Sequence, residues 1–138
     1  PADAAKKHKG NVKVIEPGQS IAVDGIPVEA VPAYNPAKNF HPLKNGWVGY
    51  VVTLDGRRIY HSGDTDAIPE MGALKVDVAL VPVGGTYTMT AEEATKAVGG
   101  FMPKVAVPMH YNSIVGTAAD AERFKAACKA PVEILKQE

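Results

Sequence analysis

The sequence predicts an α/β chain, strand-rich in its first half and alternating between strand and helix in its second. Three observations carry this. Up to His61 the chain is a series of short alternating runs cut by turn signals, among them Asp24-Gly25 and Asp55-Gly56, dipeptides that favour two-residue hairpins. Beyond it lie two apolar runs, Val76 to Val83 and Lys104 to Met109, of the kind buried on both faces of a sheet. Each is followed by a helix-opening signature, Thr90-Ala91-Glu92-Glu93 and Thr117-Ala118-Ala119-Asp120, in which a hydroxyl and a carboxylate three residues apart satisfy amides that the first turn leaves free.

Taken in order, Asn11 to Glu16 reads as a strand ending at Pro17-Gly18, and Ser20 to Asp24 as a second. Ile26 to Tyr34 continues across Pro27 and Pro32, which suit an edge or bulged strand. Asn35 to Gly46, rich in proline and poor in aliphatic residues, is a loop long enough to suggest function. Trp47 to Leu54 and Arg57 to His61 form a hairpin, with Arg57 and Arg58 expected in solvent. Ala94, Ala97, Val98 and Phe101 follow the first capping signature at helical spacing, and Ala121, Phe124 and Cys128 share one face after the second. Pro131 to Leu135 closes the chain as a strand.

The chain has 138 residues, 15 basic and 15 acidic, with 46% hydrophobic residues and one cysteine. A chain of that length buries roughly two-thirds of the surface its unfolded form exposes, so a core needs no disulfides, and Cys128 has no internal partner to bridge. Cys128 reads as a small core residue, not a nucleophile. Zero net charge provides no global field toward nucleic acid. No run approaches the roughly 20 apolar residues of a membrane span. We expect a cytoplasmic protein acting on a small molecule, and the start at Pro1 leads us to expect further residues upstream.

Residues able to bind a metal fall at the predicted strand ends: His61 and Asp64 after the hairpin, His110 after Lys104 to Met109, and His41 in the long loop. Ligand sites in open sheets form beyond the carboxyl ends of the strands, and two imidazoles with a carboxylate suit zinc, iron or manganese. His61 is either an orienting neighbour of the ligands or an ordinary half-buried histidine. Gly84-Gly85-Thr86, between a buried strand and a helix, either turns the chain or cradles an anionic substrate group with its amides.

The runs Ile59-Tyr60-His61-Ser62-Gly63-Asp64-Thr65-Asp66, Val76 through Gly85, and Pro108-Met109-His110-Tyr111-Asn112 together resemble the second half of a metallo-β-lactamase-fold hydrolase. The resemblance runs from about Asn11 onward and is nearest to the poorly characterised metal-dependent hydrolases of that fold. It implies an αββα sandwich, with residues 1–138 as a single domain forming its C-terminal half. It also implies a metal site, often dinuclear, whose activated water attacks an ester, amide or phosphodiester. Asp64 would bridge two metals and His110 would be the last imidazole ligand, with zinc the expected ion and manganese, iron or nickel the alternatives. Thr65, Gly85, Tyr111 and His61 would orient ligands or contact substrate.

Two departures accompany the resemblance. The family's His-x-His-x-Asp-His motif is absent, and the position after Val31-Pro32-Ala33-Tyr34, where the family has a histidine, is Asn35. Either His41, six residues on and the obvious substitute, or Asn35 itself takes that middle ligand role. Two readings follow: a metal hydrolase of which this chain carries part of the site, or a non-catalytic scaffold or oligomerisation module. Half a sandwich would leave Val78, Leu80, Val105 and Val107 uncovered, so we expect pairing with a second copy or with an N-terminal half.

Overall fold

In the computed structural model, described over residues 5–136, the first half of the chain is organised by two Asp-Gly turns. One joins β1 (Ser20–Val23) to β2 (Ile26–Pro32), the other β3 (Val48–Leu54) to β4 (Arg57–His61). Both residues of each turn have positive φ, 52° and 81° at Asp24-Gly25 and 47° and 72° at Asp55-Gly56. That left-handed pair is what a two-residue hairpin requires to match the twist of its strands. Strands β1 to β4 are antiparallel, and β5 (Val78–Pro82) and β6 (Val105–Met109) add in parallel, so that the sheet runs β1-β2-β3-β4-β5-β6.

The parallel pair needs a crossover, supplied by α1 (Ala91–Phe101); α2 (Ala118–Ala127) follows β6. Thr90 Oγ1 accepts from the Glu93 amide and the Glu93 carboxylate accepts from the Thr90 amide, the reciprocal cap expected. At α2 the Asp120 carboxylate accepts from the Thr117 amide at 2.7 Å. Ala91, Ala94 and Val98 of α1 and Ala121 and Phe124 of α2 are buried. They pack on one face of the sheet, against Val51, Tyr60, Ala79, Val81 and Ala106.

Strand alternation sends the neighbouring residues to the opposite face. There Ile59, Val78, Leu80 and Val105 are half-buried, whereas Val107 is only 7% exposed. The expectation of an uncovered apolar face therefore holds for Val78, Leu80 and Val105 in part and fails for Val107. Near β1 and β2 a second cluster covers this face, with Ile15 packed against Ala30 and Val48.

Three readings from sequence are corrected. Asn11 to Glu16 joins no strand ladder, because the chain spends its apolar residue Ile15 on the sheet face instead of on the free edge of β1. Pro131 to Leu135 makes a single bridge, Val132 to Ala106, since Pro131 has no amide to extend a ladder. Arg58 is only partly solvated: its Nε donates to the Lys75 carbonyl at 2.7 Å and its two terminal nitrogens meet the Glu29 carboxylate. Two short 3-10 turns that periodicity did not reveal, Leu43–Asn45 and Pro69–Ala73, shape the loops after β2 and β4.

Candidate metal centre

Because β4, β5 and β6 are parallel, their carboxyl ends lie together, and the antiparallel register of β3 with β4 and of β2 with β3 brings the β2–β3 loop to the same end. From there Asp64 follows β4, His110 follows β6, and His41 comes from the loop. His41 Nε2 stands 3.6 Å from Asp64 Oδ2 and His110 Nε2 3.6 Å from Asp64 Oδ1. These separations are too long for hydrogen bonds. Two ligand atoms sharing a zinc at 2.0–2.2 Å in tetrahedral geometry stand roughly 3.4 Å apart, so the spacing fits donors that share a cation. The donor set, two imidazole nitrogens and one carboxylate, suits a borderline divalent ion.

The gathering is pairwise. Among the described residues no group of three or more His, Cys, Asp or Glu side chains is close enough to hold an ion; Asp64 faces His41 with one oxygen and His110 with the other.

His41 is aimed by its own loop. Asn35, 5% exposed, donates its amide to the His41 carbonyl at 2.8 Å, and its Oδ1 lies 2.9 Å from the His41 amide and 2.8 Å from His41 Nδ1. The loop thus folds back far enough to bring His41 to Asp64. Asn35 Nδ2 donates to the Tyr87 carbonyl at 3.1 Å, tying the loop to the segment after β5. Lys38 adds a second tie, its ammonium 2.7 Å from Asp66 Oδ1 and 2.6 Å from the Thr88 carbonyl. Asn35 as an orienting residue, Lys38 and Asp66 were not singled out from sequence, since no spacing rule joins a loop asparagine or lysine to partners 50 residues away.

His110 has a φ of 59°, a left-handed conformation that costs a side-chain-bearing residue about 1–2 kcal/mol and that clusters at functional sites. Gly84 makes room for it: a Cβ there would lie 2.2 Å from the His110 carbonyl oxygen. Thr65 is fully buried and makes its hydrogen bonds to backbone groups. Its hydroxyl accepts from the Tyr34 amide and lies within bonding distance of the Tyr34 carbonyl, locking the Asp64 turn to the end of β2. No helix starts directly after this segment: the next 3-10 turn begins at Pro69 with Ile68 as its cap.

His61 is exposed on the face away from the helices, its Nδ1 accepting from the Gly63 amide at 3.1 Å. The amides of Gly85, Thr86 and Thr88 donate within their own loop, to Met89, Gly84 and Gly85, so they are not free for an anion and Gly85, at φ 86°, serves the turn. Tyr111, 7% exposed, lines with His110, Ser113, Ile114 and Val115 a cavity of about 220 Å³ beside the centre. Cys128 packs against the core, and burial raises its thiol above the ordinary range, which disfavours the thiolate a nucleophile needs.

A mixed sheet with helices on one face and ligand-type residues at the strand ends defines an α/β protein of the metallo-beta-lactamase fold. A beta-lactamase superfamily domain is matched over residues 3–110, and the chain belongs to that family. A UPF0173 metal-dependent hydrolase of Thermococcus onnurineus is 43% identical over 121 residues, covering 83% of this chain and 54% of the relative. A Parabacteroides distasonis protein proposed as a metal-dependent hydrolase superposes with a TM-score of 0.86 at 36% identity, over 100% of this chain and 63% of that one. The metallo-beta-lactamase fold protein YhfI of Bacillus subtilis, at 10% identity and a TM-score of 0.72 over 99% of this chain and 59% of its own, shares the fold alone. The chain thus spans between half and two-thirds of the length of these proteins.

Proposed function

We propose that this chain supplies part of the metal centre of a divalent-metal-dependent hydrolase acting on an ester, amide or phosphodiester of a small molecule. The observation that carries this reading is the pair of imidazole Nε2 atoms set 3.6 Å from opposite oxygens of Asp64. Asp64, with His41 paired to it on one side and His110 on the other, are the residues that would contribute ligands, zinc being preferred by the mixed nitrogen and oxygen donors, with manganese, iron and nickel as alternatives. Such an ion supplies a water acidic enough to act as nucleophile near neutral pH and polarises the group under attack.

The chain's own contribution is placement. Asp64 presents one oxygen toward His41 and the other toward His110, and would offer a ligand on each side. Thr65 holds its turn, and Asn35 and Lys38 hold the loop bearing His41. Three donors fall short of a complete shell, and the remaining ligands are assigned to sequence outside this chain, in an N-terminal portion or a second copy. The balanced charge of the chain supports a small substrate over a nucleic acid. Among the described residues no helix is long and apolar enough to cross a membrane, and a cytoplasmic location is part of the reading.

The test is metal content after purification without chelator, with zinc affinity of wild type, Asp64→Ala, His110→Ala and His41→Ala by calorimetry. Each substitution should weaken binding while leaving the fold intact by circular dichroism. Full zinc content in Asp64→Ala would defeat the assignment. Addition of the N-terminal portion of the same protein should restore turnover of an activated ester or phosphodiester. The second reading, a non-catalytic module, is favoured by the lack of any three-ligand cluster among the described residues; it predicts a folded chain that binds no zinc alone or reconstituted.

A further inference from the structure

We infer that Asn35 is a positioning residue: it fixes the neutral His41 ring as the tautomer protonated on Nδ1 and so turns a bare Nε2 lone pair toward Asp64. Two backbone groups beside the Asn35 side chain have roles that are not adjustable. The His41 amide only donates, and it lies 2.9 Å from Asn35 Oδ1. The Tyr87 carbonyl only accepts, and Asn35 Nδ2 lies 3.1 Å from it. Together they settle which end of the Asn35 side chain is oxygen, a choice that atom positions alone leave open. Since Oδ1 has no proton to give, the 2.8 Å contact with His41 Nδ1 requires Nδ1 to be the donor.

The consequence reaches the centre directly. With the proton held on Nδ1, Nε2 of the neutral ring is an acceptor, and it stands 3.6 Å from another acceptor, Asp64 Oδ2. Two acceptors face each other with no proton of their own between them, the condition that a shared cation relieves. Asn35 cannot itself be the ligand in this arrangement, because both lone pairs of Oδ1 are taken by His41, and the side chain is 5% exposed. The histidine expected at position 35 from the resemblance is thus replaced by a pair, an asparagine that aims and a histidine that reaches. His110 differs: its Nδ1 is buried and without a partner among the described residues, so no neighbour chooses its tautomer.

The importance of Asn35 for metal rests on the reading of His41 as a ligand; the tautomer does not. The experiment therefore has two arms. Long-range proton–nitrogen correlation spectra of the nitrogen-15-labelled chain, without metal and at a pH where the rings are neutral, should show His41 Nδ1 as the protonated nitrogen and Nε2 as the bare one. Asn35→Asp, which keeps the acceptor, should retain that pattern, and Asn35→Ala should lose it. In the second arm zinc alone is titrated, and Asn35→Ala should bind on the order of 10–100-fold more weakly than wild type, with Asn35→Asp closer to wild type. A wild-type His41 protonated on Nε2 would overturn the inference even if no variant folds, and so would an unchanged tautomer in Asn35→Ala. If the tautomer result stands while His41→Ala binds zinc as wild type does, the ligand reading fails and the positioning of the ring remains.

Discussion

Lys38→Met tests how firmly the His41 loop is held to its neighbours. The ammonium lies 2.7 Å from Asp66 Oδ1 and 2.6 Å from the Thr88 carbonyl, with Glu93 at 3.8 Å. Its side chain is 26% exposed and that of Asp66 11%, which puts the pair between two limits. An exposed pair contributes about 0–1 kcal/mol, whereas breaking a buried one costs about 3–5 kcal/mol because the surviving charge is stranded. Here the stranded group is a largely enclosed carboxylate, partly reached by water, so about 2 kcal/mol is the expected loss. For a chain of this size that corresponds to a fall in Tm of roughly 6–10 °C. Urea unfolding followed by Trp47 fluorescence would measure it. Asp66→Asn and the double variant complete the cycle, and the double should be less destabilised than the sum of the singles by about 1 kcal/mol or more. Additivity within about 0.3 kcal/mol would refute the claim that the two side chains act on each other.

Three further outcomes are expected. Tyr60 is fully buried with a hydroxyl that has no partner among the described residues, so Tyr60→Phe should raise stability by about 1 kcal/mol in urea unfolding; a loss of that size would mean that the hydroxyl is bonded in solution. Gly84→Ala, whose Cβ would meet the His110 backbone at 2.2 Å, should cost about 3 kcal/mol and weaken zinc binding, and a stability equal to wild type would contradict the close approach. Asp77 is held below the ordinary carboxylate range, first by the Lys104 ammonium at 2.6 Å and then by the Arg58 amide at 2.9 Å. Its stabilising effect is therefore complete above the unfolded value of about 3.9 and is lost as pH falls through the depressed folded value. Unfolding free energy measured from pH 6 to pH 3 should drop less steeply in Asp77→Asn than in wild type, and parallel curves would sink the assignment.

Local chemistry carried much of the fold into the sequence. The two Asp-Gly hairpins were legible because only residues tolerant of positive φ close such turns, and the start of α1 because Thr90 and Glu93 complete each other's hydrogen bonds three residues apart. The apolar runs of β5 and β6 were legible because a strand covered by helices on one face and partly shielded on the other has few polar positions. The identity and strand-end positions of Asp64 and His110 were visible for a similar reason, since the residues that end a parallel strand place their side chains at the edge where ligand sites form.

Tertiary structure alone decided the rest. Whether Asn11 to Glu16 pairs as a strand depended on a competition between a free sheet edge and an apolar patch at Ala30 and Val48, and the patch won Ile15. The aim of His41 depended on contacts from Asn35 to Tyr87 and from Lys38 to Thr88, across 52 and 50 positions of chain, which no local pattern encodes. The roles of Thr65 and Gly85 turned on which hydrogen-bonding groups their loops had already used. Periodicity and turn chemistry describe what a residue does with its near neighbours, whereas a binding site is made of side chains that meet only after the sheet has closed the distance between them.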